Sequence, residues 1–181
     1  MNDSLDKAIG LFEEEKYSES IKIFERLAEQ NDSVAQYYLG HFFSEGLGVP
    51  ENSEAAVNFY MLSANQGYAP AQETIGGYYI DGPYLHQNFR EAAKWLMLSA
   101  EQGEPMAQMM LGLLFAKGQG VPKDLVIAYM WIYISLFGFN KELSTFNKVV
   151  LGHLGILESQ MPQEQTETAK ALAHKWHLRA C

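Results

Sequence analysis

The apolar residues of this chain recur at the three- and four-residue spacing of helices, in stretches separated by glycine and proline. One stretch follows Asp32 or Ser33, either of which can cap a helix, and it contains Tyr38, Leu39, Phe42 and Phe43. Another follows Asn52 or Ser53 and contains Ala56, Val57, Phe59, Tyr60 and Ala64. Between them, the segment 46–50 reads Gly-Leu-Gly-Val-Pro and ends the first helix. The pattern therefore predicts two antiparallel helices within residues 33–68.

This predicted helix pair recurs with a period of 36 residues, in units 33–68, 69–104 and 105–140. Identical residues hold the same step in all three units, among them Gly40, Gly76 and Gly112; Ala35, Ala71 and Ala107; Gln36, Gln72 and Gln108; and Ser63, Ser99 and Ser135. Self-similarity at such a period is typical of stacked repeat proteins, in which each unit contacts only its neighbours. We expect the small residues Gly40 and Ala56 to let two helices approach closely, and Phe59, Trp95 and Trp131 to fill the gaps between layers.

The flanking segments predict further helices without the glycine-rich turn. Residues 1–34 predict helices at about 3–15 and 18–30, and the tail 141–181 predicts helices at about 141–159 and 163–178. Pro162 precedes the last of these, and its expected inner stripe is Ala169, Leu172, Ala173 and Trp176. Because the end of a stack needs a different outer face, we interpret 141–181 as a cap. The chain is thus predicted to be one all-α domain over residues 1–181.

The three units resemble the Sel-one-like repeat family, which is related to the tetratricopeptide repeat. In the first unit the resemblance rests on Ala35, Leu39-Gly40, Phe43, Gly46, Gly48-Val49-Pro50, Ala56, Ala64 and Gly67. In the third it rests on Ala107, Leu111-Gly112, Gly118, Gly120-Val121-Pro122-Lys123-Asp124, Ala128 and Trp131. The second unit departs from the pattern in its turn, where Tyr84 replaces the second glycine. Residues 1–34 resemble a plain tetratricopeptide unit, and the tail 161–176 is similar to the terminal segment of such proteins.

The resemblance implies a right-handed α-solenoid whose concave face is lined by the first helix of each pair. It also implies a non-enzymatic adaptor or scaffold that binds a segment of another protein in this groove. Bacterial relatives include regulators, virulence factors and immunity proteins, so a stoichiometric inhibitor of one toxin or enzyme is an alternative. A cysteine-rich branch has been described as β-lactamase-like, which makes a hydrolase a distant alternative. The paired cysteines of that branch are absent here, since Cys181 is the one cysteine.

The expected partner-binding positions follow from the phase of the first helices. They are Leu5, Ile9 and Phe12, then Tyr37, His41, Ser44 and Glu45, then Glu73, Gly77, Ile80 and Asp81, and finally Met106, Met109, Leu113 and Lys117. Tyr37 offers a rigid aromatic contact and Met109 an adaptable one. His41 is interpreted as a hydrogen-bonding or pH-sensitive group at the rim. An alternative for the end from Met109 to Leu113 is that the last helices of the chain cover it.

The charge of the chain is −9 and is unevenly spread. Residues 1–104 hold 17 acidic and 6 basic residues, whereas residues 105–181 hold 5 acidic and 7 basic ones. Such a charge repels nucleic acid and anionic membranes and favours a basic partner, although solubility alone also explains an acidic surface. No apolar run is long enough to cross a membrane, and the start 1–7 has no signal-peptide core. We therefore expect a cytoplasmic protein, while export of a trimmed mature form stays compatible with the sequence.

Motifs that carry chemistry are missing from the sequence: it contains no phosphate loop, no G-x-S-x-G elbow and no C-x-x-C pair. His174 and His177 have a spacing that suits a metal, but no carboxylate close in sequence completes a site. Histidines near a helix C-terminus also interact favourably with its dipole, which is the simpler interpretation. We expect no catalytic residue, metal or cofactor.

Overall fold

The computed structural model describes residues 3–82, 84–137 and 145–180, and every regular element within them is an α-helix. In chain order these helices are α1 (Asp3–Glu13), α2 (Tyr17–Glu29), α3 (Ser33–Glu45), α4 (Ser53–Asn65), α5 (Ala69–Asp81), α6 (Phe89–Glu101), α7 (Pro105–Lys117), α8 (Leu125–Ile134), α9 (Thr145–Glu158) and α10 (Gln163–Ala180). Cys181 and residues 141–144 of the expected helix 141–159 lie outside the described residues. The prediction of an all-α chain is confirmed.

Side-chain caps set the start of four of these helices, α3, α4, α6 and α8. Asp32 accepts a hydrogen bond from the Ala35 amide at 2.9 Å, and Asn52 accepts one from the Ala55 amide at 3.0 Å. Asn88 and Asp124 cap α6 and α8 in the same way. Of the residue pairs that the sequence left open, the structure selects Asp32 and Asn52. The left-handed glycines Gly46 and Gly118 end α3 and α7 at the positions that the sequence predicts.

Several helices that follow one another in the chain pack together. α1 packs on α2, α3 on α4 and α7 on α8, while α2 contacts α3 and α6 contacts α7. The repeated glycine of each first helix makes this approach close. A Cβ atom on Gly40, Gly76 or Gly112 would lie within 2.6 Å of the side chain of Tyr60, Leu96 or Ile132. The fold is therefore an α-solenoid of helix pairs, as the 36-residue period predicts.

Hydrogen bonds from repeated polar residues join successive pairs. Gln72 Nε2 donates to the main-chain carbonyl of Ala64, and Gln108 Nε2 donates to that of Ala100, both at 3.1 Å. Each bond ties the first helix of one pair to the second helix of the pair before it. Both glutamines are buried, so an unpaired amide there would cost free energy.

The chain divides into two compact units, Met1–Ile75 and Gly76–Cys181, which we call unit 1 and unit 2. The division falls inside α5. The core of unit 1 contains Ala8, Ile21, Phe24, Leu27, Ala35, Leu39 and Phe42. Unit 2 has two core clusters, one centred on Leu96, Leu111 and Trp131 and the other on Tyr129, Ile132 and Leu154. The single domain over 1–181 stays a prediction.

Several expected core positions differ from the sequence prediction. Leu172, placed in the inner stripe of the last helix, is 36% exposed because α10 faces the core with Ala169 and Ala173. Trp131 is buried, but Phe59 and Trp95 are half-buried. The connection between α1 and α2 lies at 14–16, slightly earlier than the expected helices 3–15 and 18–30 imply.

The last two helices pack on α8. α10 makes the more extensive contact with α8, and α9 makes a smaller one. Tyr129 of α8 donates a hydrogen bond from its hydroxyl to Glu158 Oε1 at 2.7 Å, and Lys170 Nζ of α10 lies 3.9 Å from the same oxygen. One hydrogen bond thus joins α8 to α9, and one ion pair joins α9 to α10.

Candidate protein-binding surface

The first helices of unit 1 present an aromatic face built around Phe12. Its ring centroid lies 5.2 Å from that of Tyr38, 5.5 Å from that of Phe42 and 5.7 Å from that of His41. Leu5 and Ile9, on the same side of α1, are half-buried and pack against the core of unit 1. We call this surface of α1 and α3 the first-helix face. The structure brings its sequence-predicted residues together.

Tyr37 is held by three other tyrosines. Its ring centroid lies 5.9 Å from that of Tyr38, 5.5 Å from that of Tyr60 and 5.3 Å from that of Tyr68. The side chain is half-buried, so it combines a packing role with a partly accessible edge. Burial, together with the nearby carboxylate of Glu13, raises the pKa of the neighbouring Tyr38 above its ordinary range.

The other predicted residues of unit 1 differ in exposure. His41 and Glu73 are half-buried and Glu45 is exposed. Ser44 is only 8% exposed, so the expectation that it faces solvent is wrong. The cause is its position beneath α4: Ser44 Oγ donates to the His41 carbonyl at 3.2 Å and shares a hydrogen bond with the Tyr60 hydroxyl at 3.3 Å.

The acidic charge of the chain belongs to unit 1. Residues 1–75 carry 13 acidic and 4 basic residues, whereas residues 76–181 carry 9 of each. No lysine or arginine occurs between Arg26 and Arg90. The first-helix face of unit 1 therefore stands in a negative field that would attract a positively charged segment.

The predicted positions of unit 2 do not form an open row. Asp81, Met106 and Lys117 are exposed, while Gly77, Ile80 and Leu113 are half-buried. Met109 is 8% exposed, and the expectation of an accessible contact there is wrong. It belongs to the core cluster that also contains Ile132 of α8 and Leu154 of α9. The alternative in which the last helices cover this end stays a prediction.

A pocket of about 300 Å³ remains where α9 meets α7 and α8 in unit 2. Two predicted residues, Leu113 and Lys117, line it together with Ala116, Ile132, His153, Ile156, Leu157 and Gln160. Its walls are mostly apolar. The predicted positions Leu113 and Lys117 of α7 thus line a small cavity beside α9.

A larger pocket of about 470 Å³ lies among α2, α3 and α4 of unit 1, and sequence reasoning missed it. Its lining consists of Glu25, Ala28, Glu29, Gln36, Leu39, Phe59 and Leu62. The spacing of Glu25 and Glu29, one helical turn apart, was visible in the sequence. The pocket was not predicted because its walls come from three helices, two of them second helices of their pairs.

The histidines and the irregular turn show packing contacts. The His174 ring lies 5.8 Å from that of Phe137, and the His177 ring lies 4.8 Å from it. Tyr84, where the second unit departs from the repeat pattern, packs edge-on against Tyr78 at 5.3 Å. Pro83 of this turn lies outside the described residues. Across the three described ranges, no three histidine, cysteine or carboxylate side chains gather as a metal site.

In the part of the chain that the structure describes, no helix has the length and apolar character needed to cross a membrane.

A comparison with protein-family models matches the Sel1 repeat to residues 33–68, 69–104 and 105–134. These three matches cover more than half of the chain, and they start at the first residue of each 36-residue unit, although the third ends at residue 134. The chain belongs to the Sel1 repeat family. Sel1 repeats generally mediate protein–protein interactions, and proteins built from them are generally non-enzymatic scaffolds.

Solved structures of other Sel1 repeat proteins are similar to this one. A Sel1 repeat protein from Oxalobacter formigenes is 27% identical with a TM-score of 0.77, and the match covers 90% of this chain and 63% of that one. The protein c5321, a protective antigen present in uropathogenic Escherichia coli strains that has an SLR fold, is 25% identical with a TM-score of 0.54. That match covers 87% of this chain and 40% of c5321. The Sel1 repeat chain described here thus spans less than two thirds of either bacterial relative.

No curated protein sequence matches this Sel1 repeat chain significantly.

Proposed function

We propose that this Sel1 repeat protein is a non-enzymatic adaptor or scaffold that binds an extended or helical segment of another protein through the first-helix face of unit 1. The observation that carries the proposal is the aromatic arrangement of Phe12, Tyr37 and His41, held in place by packing yet only half-buried. Rigid aromatic side chains with an accessible edge are the residues that contribute most to protein interfaces.

Unit 1 is the better candidate because its first helices keep this face accessible. In unit 2 the corresponding residue Met109 is buried in a core cluster, and Leu113 packs against the same cluster. The predicted positions with exposed side chains in unit 2, such as Met106 and Lys117, lack an aromatic centre like that of unit 1.

The charge of unit 1 indicates the chemistry of the segment. The exposed carboxylate of Glu45 and the half-buried Glu73 belong to a stretch without lysine or arginine. A partner segment with apolar residues and positive charge would gain both contact with the aromatic rings and faster association.

Site-specific photo-crosslinking tests the proposal. With His41→p-benzoylphenylalanine in the full chain, we expect a covalent product with a partner protein that mass spectrometry identifies. The matched control is Glu54→p-benzoylphenylalanine, at an exposed position of α4, which should not give this product. Equal crosslinking from both positions, or none from position 41, would contradict the proposal.

A stoichiometric inhibitor of one basic enzyme or toxin is a more specific form of this function, and the concentration of negative charge in unit 1 favours it. The two forms differ in the products of the same experiment. An inhibitor should give one partner in a 1:1 complex that survives gel filtration, and the partner's own activity should fall. A general adaptor should give several partners without inhibition.

A further inference from the structure

The pocket among α2, α3 and α4 of unit 1 combines an apolar floor with an acidic wall. Leu39 and Phe59 form part of the floor, and Leu62 is 50% exposed beside them. Glu25 and Glu29, one turn apart on α2, form the wall. A volume of about 470 Å³ accommodates a few side chains but no folded domain.

Comparison of the repeats shows that the later repeats do not repeat both Glu25 and Phe59 of this pocket. At successive steps of 36 residues, Glu25 corresponds to Met61 and Met97, and Phe59 corresponds to Trp95 and Trp131. The pocket therefore has the carboxylate of Glu25 where the later repeats have a methionine. It has the phenyl ring of Phe59 where they have the larger indole of a tryptophan. The smaller ring leaves space, and the carboxylate makes that space attractive to a cation.

The two carboxylates form no direct ion pair within the described part of the chain. Among the described residues, no basic side chain lies within 4.0 Å of Glu25 or Glu29. The guanidinium of the adjacent Arg26 extends toward α1, where Nη2 donates to Ser4 Oγ at 3.5 Å. Both carboxylates are exposed, so each is accessible to a charge from outside.

The polar residue of the floor is already engaged. Gln36 Nε2 donates to Asn31 Oδ1 at 3.3 Å, and Gln36 Oε1 accepts a hydrogen bond from Gln66 Nε2 at 2.6 Å. The amide of Gln36 therefore does not compete with an incoming cation for the two carboxylates. The groups of the pocket that remain available to a ligand are the two carboxylates of the acidic wall and the exposed side chain of Leu62.

We propose that this pocket binds an arginine or lysine side chain flanked by an apolar residue, from a segment of a partner protein. The cation lies between the carboxylates of Glu25 and Glu29, where arginine can form charge-assisted hydrogen bonds. The apolar neighbour covers Leu62 and Phe59 and removes them from water. This inference deepens the proposed function, on which it rests for the nature of the occupant, and it places a second contact on the second helices of unit 1.

Titration of the full-length ¹⁵N-labelled protein with the dipeptide N-acetyl-leucyl-arginine amide tests the inference. We expect amide signals of residues 25–29, 36–39 and 59–62 to shift, with saturation in the millimolar range. The citrulline analogue has almost the same shape without the charge and should bind about fivefold more weakly, the effect of losing one or two exposed ion pairs. The glycyl-arginine analogue should also bind more weakly, because it lacks the apolar contact.

Two sets of variants locate the site. Glu25→Gln with Glu29→Gln should weaken binding of the arginine dipeptide about fivefold and leave the citrulline analogue unaffected. Asp6→Asn with Glu54→Gln removes the same number of exposed charges from unit 1 outside the pocket and should change little. Leu62→Gln should weaken both dipeptides alike.

Three outcomes would overturn the inference: equal binding by the Glu25/Glu29 variant, equal weakening by the Asp6/Glu54 control, or shifts centred on other residues. These outcomes are separate from those of the crosslinking experiment. Loss of crosslinks from position 41 with intact dipeptide binding would remove the proposed function and keep the pocket. The reverse result would remove the pocket alone.

Discussion

The ring of Tyr60 lies directly against Gly40: a Cβ atom on this glycine would come within 2.6 Å of Tyr60 Cδ1. Tyr60 is buried and shares a hydrogen bond with Ser44, so its ring has little freedom to move away. We expect Gly40→Ala to lower the free energy of unfolding by about 1–3 kcal/mol through overpacking. Urea unfolding followed by circular dichroism measures this difference.

Gly10 provides the control for this substitution within the same unit. A Cβ atom there would have no neighbour within 4 Å, so Gly10→Ala should raise stability by about 0.5–1 kcal/mol through helix propensity. If both substitutions change stability in the same direction, the close contact between α3 and α4 does not have the role assigned to it.

The cap of α4 gives a second prediction. Asn52 accepts the hydrogen bond from the Ala55 amide, whereas the adjacent Ser53 is the first residue of the helix. Asn52→Ala should therefore cost about 1 kcal/mol of stability, and Ser53→Ala should cost much less. Thermal unfolding of the two variants distinguishes them, and an equal loss would mean that the hydroxyl of Ser53 shares the capping role.

The hydrogen bond between Tyr129 and Glu158 gives a third prediction. Tyr129→Phe removes the contact at 2.7 Å that joins α8 to α9 and should lower the free energy of unfolding at pH 7 by about 1 kcal/mol. Tyr133→Phe is the control, because the Tyr133 hydroxyl has no hydrogen bond to any described residue. A larger loss in the Tyr133 variant would contradict the assignment.

The same pair predicts a pH dependence. Burial, followed by the hydrogen bond and charge of Glu158, raises the pKa of Tyr129 above its ordinary value of 10.0. Below pH 10 the tyrosine is protonated in both the folded and unfolded states, and its contribution to stability is complete. Above pH 10 the unfolded state loses the proton first, so the contribution falls. The stability difference between wild type and Tyr129→Phe should therefore shrink from pH 9 to pH 11 in urea titrations.

The attachment of α10 gives a final prediction. The Trp176 ring packs edge-on against that of Trp131 at a centroid distance of 5.6 Å. Trp176→Ala should weaken this attachment by about 2–3 kcal/mol and speed hydrogen exchange of the α10 amides. Leu178→Ala, at a side chain that is 80% exposed, should leave exchange unchanged. Unchanged exchange in the Trp176 variant would show that α10 is held elsewhere.

The repeats were predictable because their signals are local. Caps such as Asp32 and Asn52 lie next to the first turn of the helix that they start. The left-handed glycines Gly46 and Gly118 lie next to the last turn of the helix that they end. The period of 36 residues then indicates which helices pair. The sequence therefore predicted the helix boundaries to within a few residues, and it also predicted which helices form pairs.

The site was less predictable because exposure depends on other helices. Ser44 has the phase of a surface residue, but the Tyr60 hydroxyl from α4 buries it. Met109 is buried in a cluster that includes residues of α9, and the 36-residue pattern does not extend to that helix. The pocket beside Glu25 and Phe59 needs three helices to exist, so a pattern along any one helix could not show it.

The hydrogen bonds of Gln72 and Gln108, which join successive helix pairs, have a consequence for how such a chain changes in evolution. The side-chain amides of Gln72 and Gln108 each donate to a main-chain carbonyl, and every residue type supplies that acceptor. The neighbouring position can therefore mutate without losing its bond. A 36-residue module inserted at the joint of Gln72 or Gln108 would offer the same kind of acceptor, so an array could lengthen there by a whole module and keep this hydrogen bond.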